Sequence, residues 1–127
     1  MVNTYDKIYT VTSISHLIPV KLDLSKLNYA RWKRLFTTHC KGFDVSKFIL
    51  GTSTPEEQAT EAWIKADVVV TTWIYNTISE PLLERVLNSE PANSHAAWIF
   101  LEKNFQDNKL SKTMELNAEL RGLSIGD

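Results

Sequence analysis

The side chains in this sequence with the most chemical capacity are His16, His39 and His95, a single cysteine at Cys40, and the carboxylates Glu56, Glu57, Glu61 and Asp67. A zinc centre gathers three or four such ligands, and its usual mark is a pair spaced three or four residues apart on a helix, or Cys-x-x-Cys. Neither pattern occurs here. His39 and Cys40 are adjacent, so on a helix their side chains diverge by about 100°. They read as a partly buried histidine beside a small apolar cysteine. A nucleophile needs Ser or Cys served by a histidine base and an orienting acid. Ser and Asp are plentiful, but no Gly-x-Ser-x-Gly elbow is present. Glu56, Glu57 and Glu61 fall in the first turns of an expected helix, where negative charge offsets the helix dipole. The glycines, Gly42, Gly51, Gly122 and Gly126, are scattered, so no phosphate-cradling loop is encoded. The expectation is a protein that is not an enzyme, with no catalytic residue, metal, cofactor or small-molecule substrate.

The basic residues Arg31, Lys33, Arg34 and Lys41 are interleaved with Trp32 and Phe36. Aromatic residues among cations are one way to hold single-stranded nucleic acid. The same spacing also describes an amphipathic helix with rings inward and charges in water. The formal net charge of -1 favours the second reading, because nucleic-acid binders are usually strongly basic. RNA contact is therefore expected to be weak, or to lie in segments outside these residues. Hydrophobic residues at 43% and charged residues at 23% suit an ordinary folded domain rather than a disordered chain. One cysteine allows no internal disulfide, which fits a reducing cytoplasmic location. The opening Met1-Val2-Asn3-Thr4-Tyr5 has no basic stretch followed by an apolar one, and Val2 excludes myristoylation. No apolar run approaches the roughly 20 residues that span a bilayer. The longest, around Val68 to Ile78, is interrupted by Thr and Asn, so no membrane partner is expected.

Helical spacing organises most of the chain. Residues 1–24 are the exception, mixing Tyr5, Ile8, Tyr9, Val11 and Ile14 with Thr and Ser. They read as an extended or partly disordered N-terminal arm, with His16 to Leu22 laid over the helices and Pro19 holding Ile18 out of helical geometry. Residues 25–109 read as a helical domain and residues 110–127 as a final helix. Leu27 to Lys41 forms the first helix, with Asn28 as N-cap, Gly42 as stop, and Tyr29, Trp32, Leu35, Phe36 and His39 on one face. A short turn follows from Val45 to Leu50, ended by Gly51. Thr54-Pro55-Glu56-Glu57 is a capping box with Pro at the first helical position. The helix it opens is expected to reach about Thr77, burying Trp63, Ala66, Val70, Trp73 and Thr77. Val68 to Tyr75 has high strand propensity, but it continues the face begun at Trp63 without a turn residue. Asp67 lies one turn from Trp63 and is expected to cap a helix or pair with Arg31 or Arg34.

Ser79-Glu80-Pro81 opens a helix carrying Leu82, Leu83, Val86 and Leu87, ending near Glu90-Pro91. Ser94 is expected to cap a helix through about Asp107 with Trp98, Leu101 and Phe105 inward. Ser111 to Arg121 is the last helix, presenting Thr113, Leu116 and Leu120. The sum is an all-α, compact array of about five or six helices. Its expected core is Tyr29, Trp32, Phe36, Trp63, Val70, Trp73, Leu83, Trp98, Leu101, Phe105, Leu116 and Leu120.

The order of these motifs resembles the capsid N-terminal region of copia-type retrotransposon Gag polyproteins of plants. Lys26-Leu27-Asn28-Tyr29 with Trp32 is similar to the family's "K-L-(x)n-N-Y-x-x-W", and the likeness continues through Phe36 and Gly42-Phe43. Trp63, Asp67, Trp73-Ile74 and Ile78-Ser79 resemble its "W-x-x-x-D-x-x-x-x-x-W-I-x-x-S-I-S" helix. Ala96 to Phe105 resembles "A-x-x-x-W-x-x-L-x-x-x-F", and Met114 to Leu123 the following "L-x-x-x-L-x-x-L" run. The resemblance covers about residues 16–125. It implies a capsid-like structural protein whose activity is self-association into homo-oligomers. The family continues into a second helical lobe and a Cys-x-x-Cys-x-x-x-x-His-x-x-x-x-Cys knuckle. The knuckle is absent from these residues, and residues 110–127 would begin the second lobe. A domesticated helical adaptor that binds another host protein is the alternative reading.

Overall fold

Helix α2 (Tyr29–Gly42) presses one face into the core. It belongs to a computed structural model that describes residues 5–11 and 14–106. Trp32, Phe36 and Cys40 recur every four residues along it and are buried, the stripe that a helix pressing one face into a core requires. Its start differs in detail from the expected cap. Asn28 stands at the N-cap position but makes no capping bond. Its side-chain oxygen accepts the Asp23 N–H at 3.0 Å and its amide donates to the Lys21 carbonyl at 2.9 Å. Asn28 thus closes the loop in front of the helix. At the far end Gly42 is still helical, and the left-handed residue is Asp44 at φ 58°. Aspartate tolerates that conformation better than most residues, so the helix ends on Gly42 as expected while the left-handed turn falls two residues later.

Short helix α3 (Ser46–Leu50) ends on Gly51, left-handed at φ 71°. The capping box at Thr54 and Glu57 is formed in both directions, with Pro55 in the first turn. The helix it opens is shorter than expected, since α4 spans only Pro55–Gln58. Thr60 then adopts extended geometry, and its hydroxyl accepts the Trp63 N–H to start helix α5 (Glu61–Asn76). The reason is local: a threonine hydroxyl offers the backbone a capping bond that competes with continued helix. Along α5, Val70 is fully buried while Val68 is 59% exposed. That difference over two residues is helical periodicity; a strand would put both on the same face. Helix α6 spans Glu80–Asn88 and helix α7 residues 94–106.

The N-terminal segment is more helical and more deeply packed than an extended arm. Residues Asp6–Thr10 form a 3-10 turn and Ile14–Leu17 a single α-turn, α1. The stretch after α1, residues 18–23, lies outside any helix. There Leu22 makes a parallel bridge with Ile78, donating to the Thr77 carbonyl and accepting from Ser79 N–H, both at 2.8 Å. Tyr5, Ile8, Ile14, Ile18 and Leu22 join the same hydrophobic cluster as the helices. Short turns place their apolar side chains on one side, and that burial outweighs the strand preference of the segment.

The centre of the core is a triangle of rings. Trp32, Phe36 and Trp98 lie 5.1–5.3 Å apart by centroid. Tyr29 stacks on Phe105 at 5.0 Å, and Phe48 meets Trp63 at 5.1 Å. Trp32, Phe36, Trp63, Val70, Trp73, Trp98, Leu101 and Phe105 are buried, as the sequence leads one to expect. Tyr29 and Leu83 pack against the core only partly buried, and Leu82 is the buried leucine of α6. Thr113, Leu116, Leu120 and the helix expected at Ser111 to Arg121 lie outside the described residues.

Candidate interaction surface

Four of the chemically capable side chains, Glu57, Glu61, Asp67 and His95, are engaged in bonds within or between helices. The Asp67 carboxylate on α5 pairs with neither Arg31 nor Arg34. Its Oδ1 accepts the Ser94 N–H at 3.0 Å and the Ser94 hydroxyl at 2.6 Å. Ser94 is accordingly the first helical residue of α7 rather than its cap. Asn93 does the capping, its side chain accepting the Ala96 N–H at 2.8 Å. The Trp32 indole donates to the Thr77 hydroxyl at 3.1 Å, tying α2 to the end of α5. Glu57 serves the capping box and an ion pair with Lys47, while Glu61 pairs with Lys65 at 3.2 Å one turn along α5. Hydrogen bonding to Lys47 is the main cause that lowers the Glu57 carboxyl from its ordinary value.

The histidines are dispersed. His16 is exposed on α1. His95 on α7 sets Nδ1 2.8 Å from the Ile49 carbonyl, with its ring against Gly51. His39 lies against Phe43 and Trp73, at centroid distances of 4.7 and 4.5 Å. Burial lowers its pKa, and its buried Nε2 has no hydrogen-bond partner among the described residues. No three of His, Cys, Asp and Glu come close enough to hold a metal ion among the described residues. Cys40 is fully buried, and burial pushes its thiol up to about 12. The thiolate form that attacks or ligates is therefore scarce at neutral pH.

The surface offers one groove with a distinctive lining. Arg31, Arg34, Leu35, Thr38 and His39 of α2 face Leu17 of α1 across an open space of about 480 Å³. Arg31 and Arg34 are exposed. Of the basic set read from the sequence, Lys33 is drawn aside, its Nζ lying 5.7 Å from the Tyr29 ring centroid. The groove joins residues that sequence reasoning treated separately, because it had no means of knowing that α1 exists or where Leu17 lies. Apolar side chains also stand exposed elsewhere, among them Ile64 and Val68 on α5 and Leu87 on α6.

Compared with known proteins, the chain matches no family model, no curated protein and no solved structure. The fold itself defines the class: an all-helical domain whose described residues share one hydrophobic cluster. Among the described residues, no helix is long and apolar enough to cross a membrane.

Proposed function

We propose that this chain is a non-enzymatic structural domain of the retrotransposon Gag capsid type, acting by self-association. The observation that carries the reading is where the motif residues meet. Tyr29 and Trp32 from the first motif touch Trp98 and Phe105 from the third. Trp63 and Trp73 from the second are buried in the same cluster. Residues that resemble one family's series thus form one core, as residues carrying architecture should. Exposed apolar side chains on α5 and α6 leave surface for association. The cytoplasm is the compartment proposed for this role, with RNA contact either weak or made through segments outside these residues.

Light scattering on the chain across a concentration series tests the reading. Mean mass should rise with concentration, and electron microscopy of concentrated samples should show regular assemblies. A constant monomer mass up to the solubility limit would remove the proposal.

A further inference from the structure

The geometry points to a head-to-tail contact in which α6 of one copy of the chain seats in the α1–α2 groove of the next. This inference rests on the self-association reading and names its surfaces. The groove presents Arg31, Arg34 and Leu35 with Leu17 opposite. Helix α2 carries no acidic residue, and neither arginine is in an ion pair among the described residues. The groove therefore holds two free cations beside an apolar floor.

The chain's own α6 presents the complement. Glu80, Glu84 and Leu87 are spaced by four and three residues, so they lie along one side of the helix. All three are exposed, with Leu87 at 50%. Neither glutamate is in an ion pair among the described residues. With about 1.5 Å of rise per residue, Glu80 and Glu84 stand about 6 Å apart along the helix axis. Arg31 and Arg34 stand about 4.5 Å apart on the same measure. Flexible arginine side chains cover that difference. With the two helices parallel, Leu87 falls about 4.5 Å beyond Glu84, near the level of Thr38, which lines the groove together with Leu35 and Leu17.

A second copy suits this groove better than a nucleic-acid strand. A phosphate backbone calls for a continuous basic track, whereas here two cations flank leucines and the chain's net charge is -1. The two surfaces differ from each other, so each copy offers one of each. Such a contact propagates into a ring or a filament instead of stopping at a dimer. Its small area and exposed charges make it weak, salt-sensitive and visible chiefly at high concentration.

Charge reversal in the full chain tests it. One variant carries Arg31→Glu with Arg34→Glu, the other Glu80→Arg with Glu84→Arg, and both are first matched to the parent by circular dichroism. Each alone should need at least about tenfold higher concentration to associate, and an equimolar mixture should recover the parent's behaviour. Parent-like association by either variant alone overturns the contact and leaves the self-association reading standing. So does a mixture that stays monomeric while the parent associates. If a single-stranded RNA of about 20 nucleotides binds the parent, and the groove variant loses that binding but still self-associates, the groove is a nucleic-acid surface and the inference falls. A parent chain that is monomeric throughout removes both this contact and the reading beneath it.

Discussion

Asp67 and Ser94 are joined twice, through the serine N–H and through its hydroxyl, both reaching one carboxylate oxygen of Asp67. Both residues are buried, and the bond links the middle of α5 to the first turn of α7. The Ser94 Oγ also lies 3.2 Å from the Phe48 carbonyl. Its single proton belongs with the carboxylate at 2.6 Å, the shorter contact.

Asp67→Ala should therefore destabilise the fold by about 2–3 kcal/mol, since a buried donor pair is left without its charged acceptor. Ser94→Ala keeps the N–H bond and should cost less, about 1–1.5 kcal/mol. Urea unfolding followed by tryptophan fluorescence measures both. Equal costs would show that the hydroxyl carries the whole interaction.

Trp32 is fully buried among Phe36 and Trp98, and its indole N–H bonds Thr77. Trp32→Ala should cost about 3–5 kcal/mol, a large part of the total that a small domain possesses. Trp32→Phe keeps most of the ring and loses the hydrogen bond, so about 1–2 kcal/mol is expected. Thermal melts monitored by circular dichroism would contradict the central place of this ring if Trp32→Ala left the midpoint unchanged.

Gly51 shows where a missing side chain matters. It is left-handed at φ 71°, and a Cβ there would stand 2.7 Å from three ring atoms of His95. Gly51→Ala should cost about 1–2 kcal/mol for the backbone alone, and more for displacing a ring held to the Ile49 carbonyl. Adding His95→Ala should relieve the second part and leave the first. A double-mutant cycle reads the coupling, and strict additivity would mean that ring and glycine act independently.

His39 sets a pH dependence. Burial lowers its pKa below the ordinary value of 6.5, so the folded state favours the neutral ring. As pH falls through 6.5 the unfolded chain takes up a proton first, and stability declines until the folded pKa is passed. His39's contribution is thus fully present above the unfolded value and lost on the acid side. His39→Phe should flatten the stability profile in that window while keeping contact with Trp73. Urea midpoints from pH 5 to pH 8 provide the comparison, and an unchanged slope in the variant would assign the dependence elsewhere.

What the sequence determined by itself was the set of residues that must leave water. Tryptophans 32, 63, 73 and 98 each stand at helical spacing from other apolar residues of their own helices, so the buried faces of those helices followed from periodicity. The capping box at Thr54 was equally legible, because its partners lie three residues apart. Tertiary structure decided what depends on long-range partners. Asn28 turned to the loop at Lys21 and Asp23, and Asp67 found Ser94 rather than an arginine. The segment expected as an arm formed two short helical turns that bury Ile8 and Ile14, followed by a non-helical stretch that buries Ile18 and Leu22. A capping oxygen or a short apolar turn has several local solutions of similar energy, and only contact with a distant surface selects among them. The groove between Leu17 and Arg31 belongs to the same class: it exists because two helices meet, and neither helix encodes it alone.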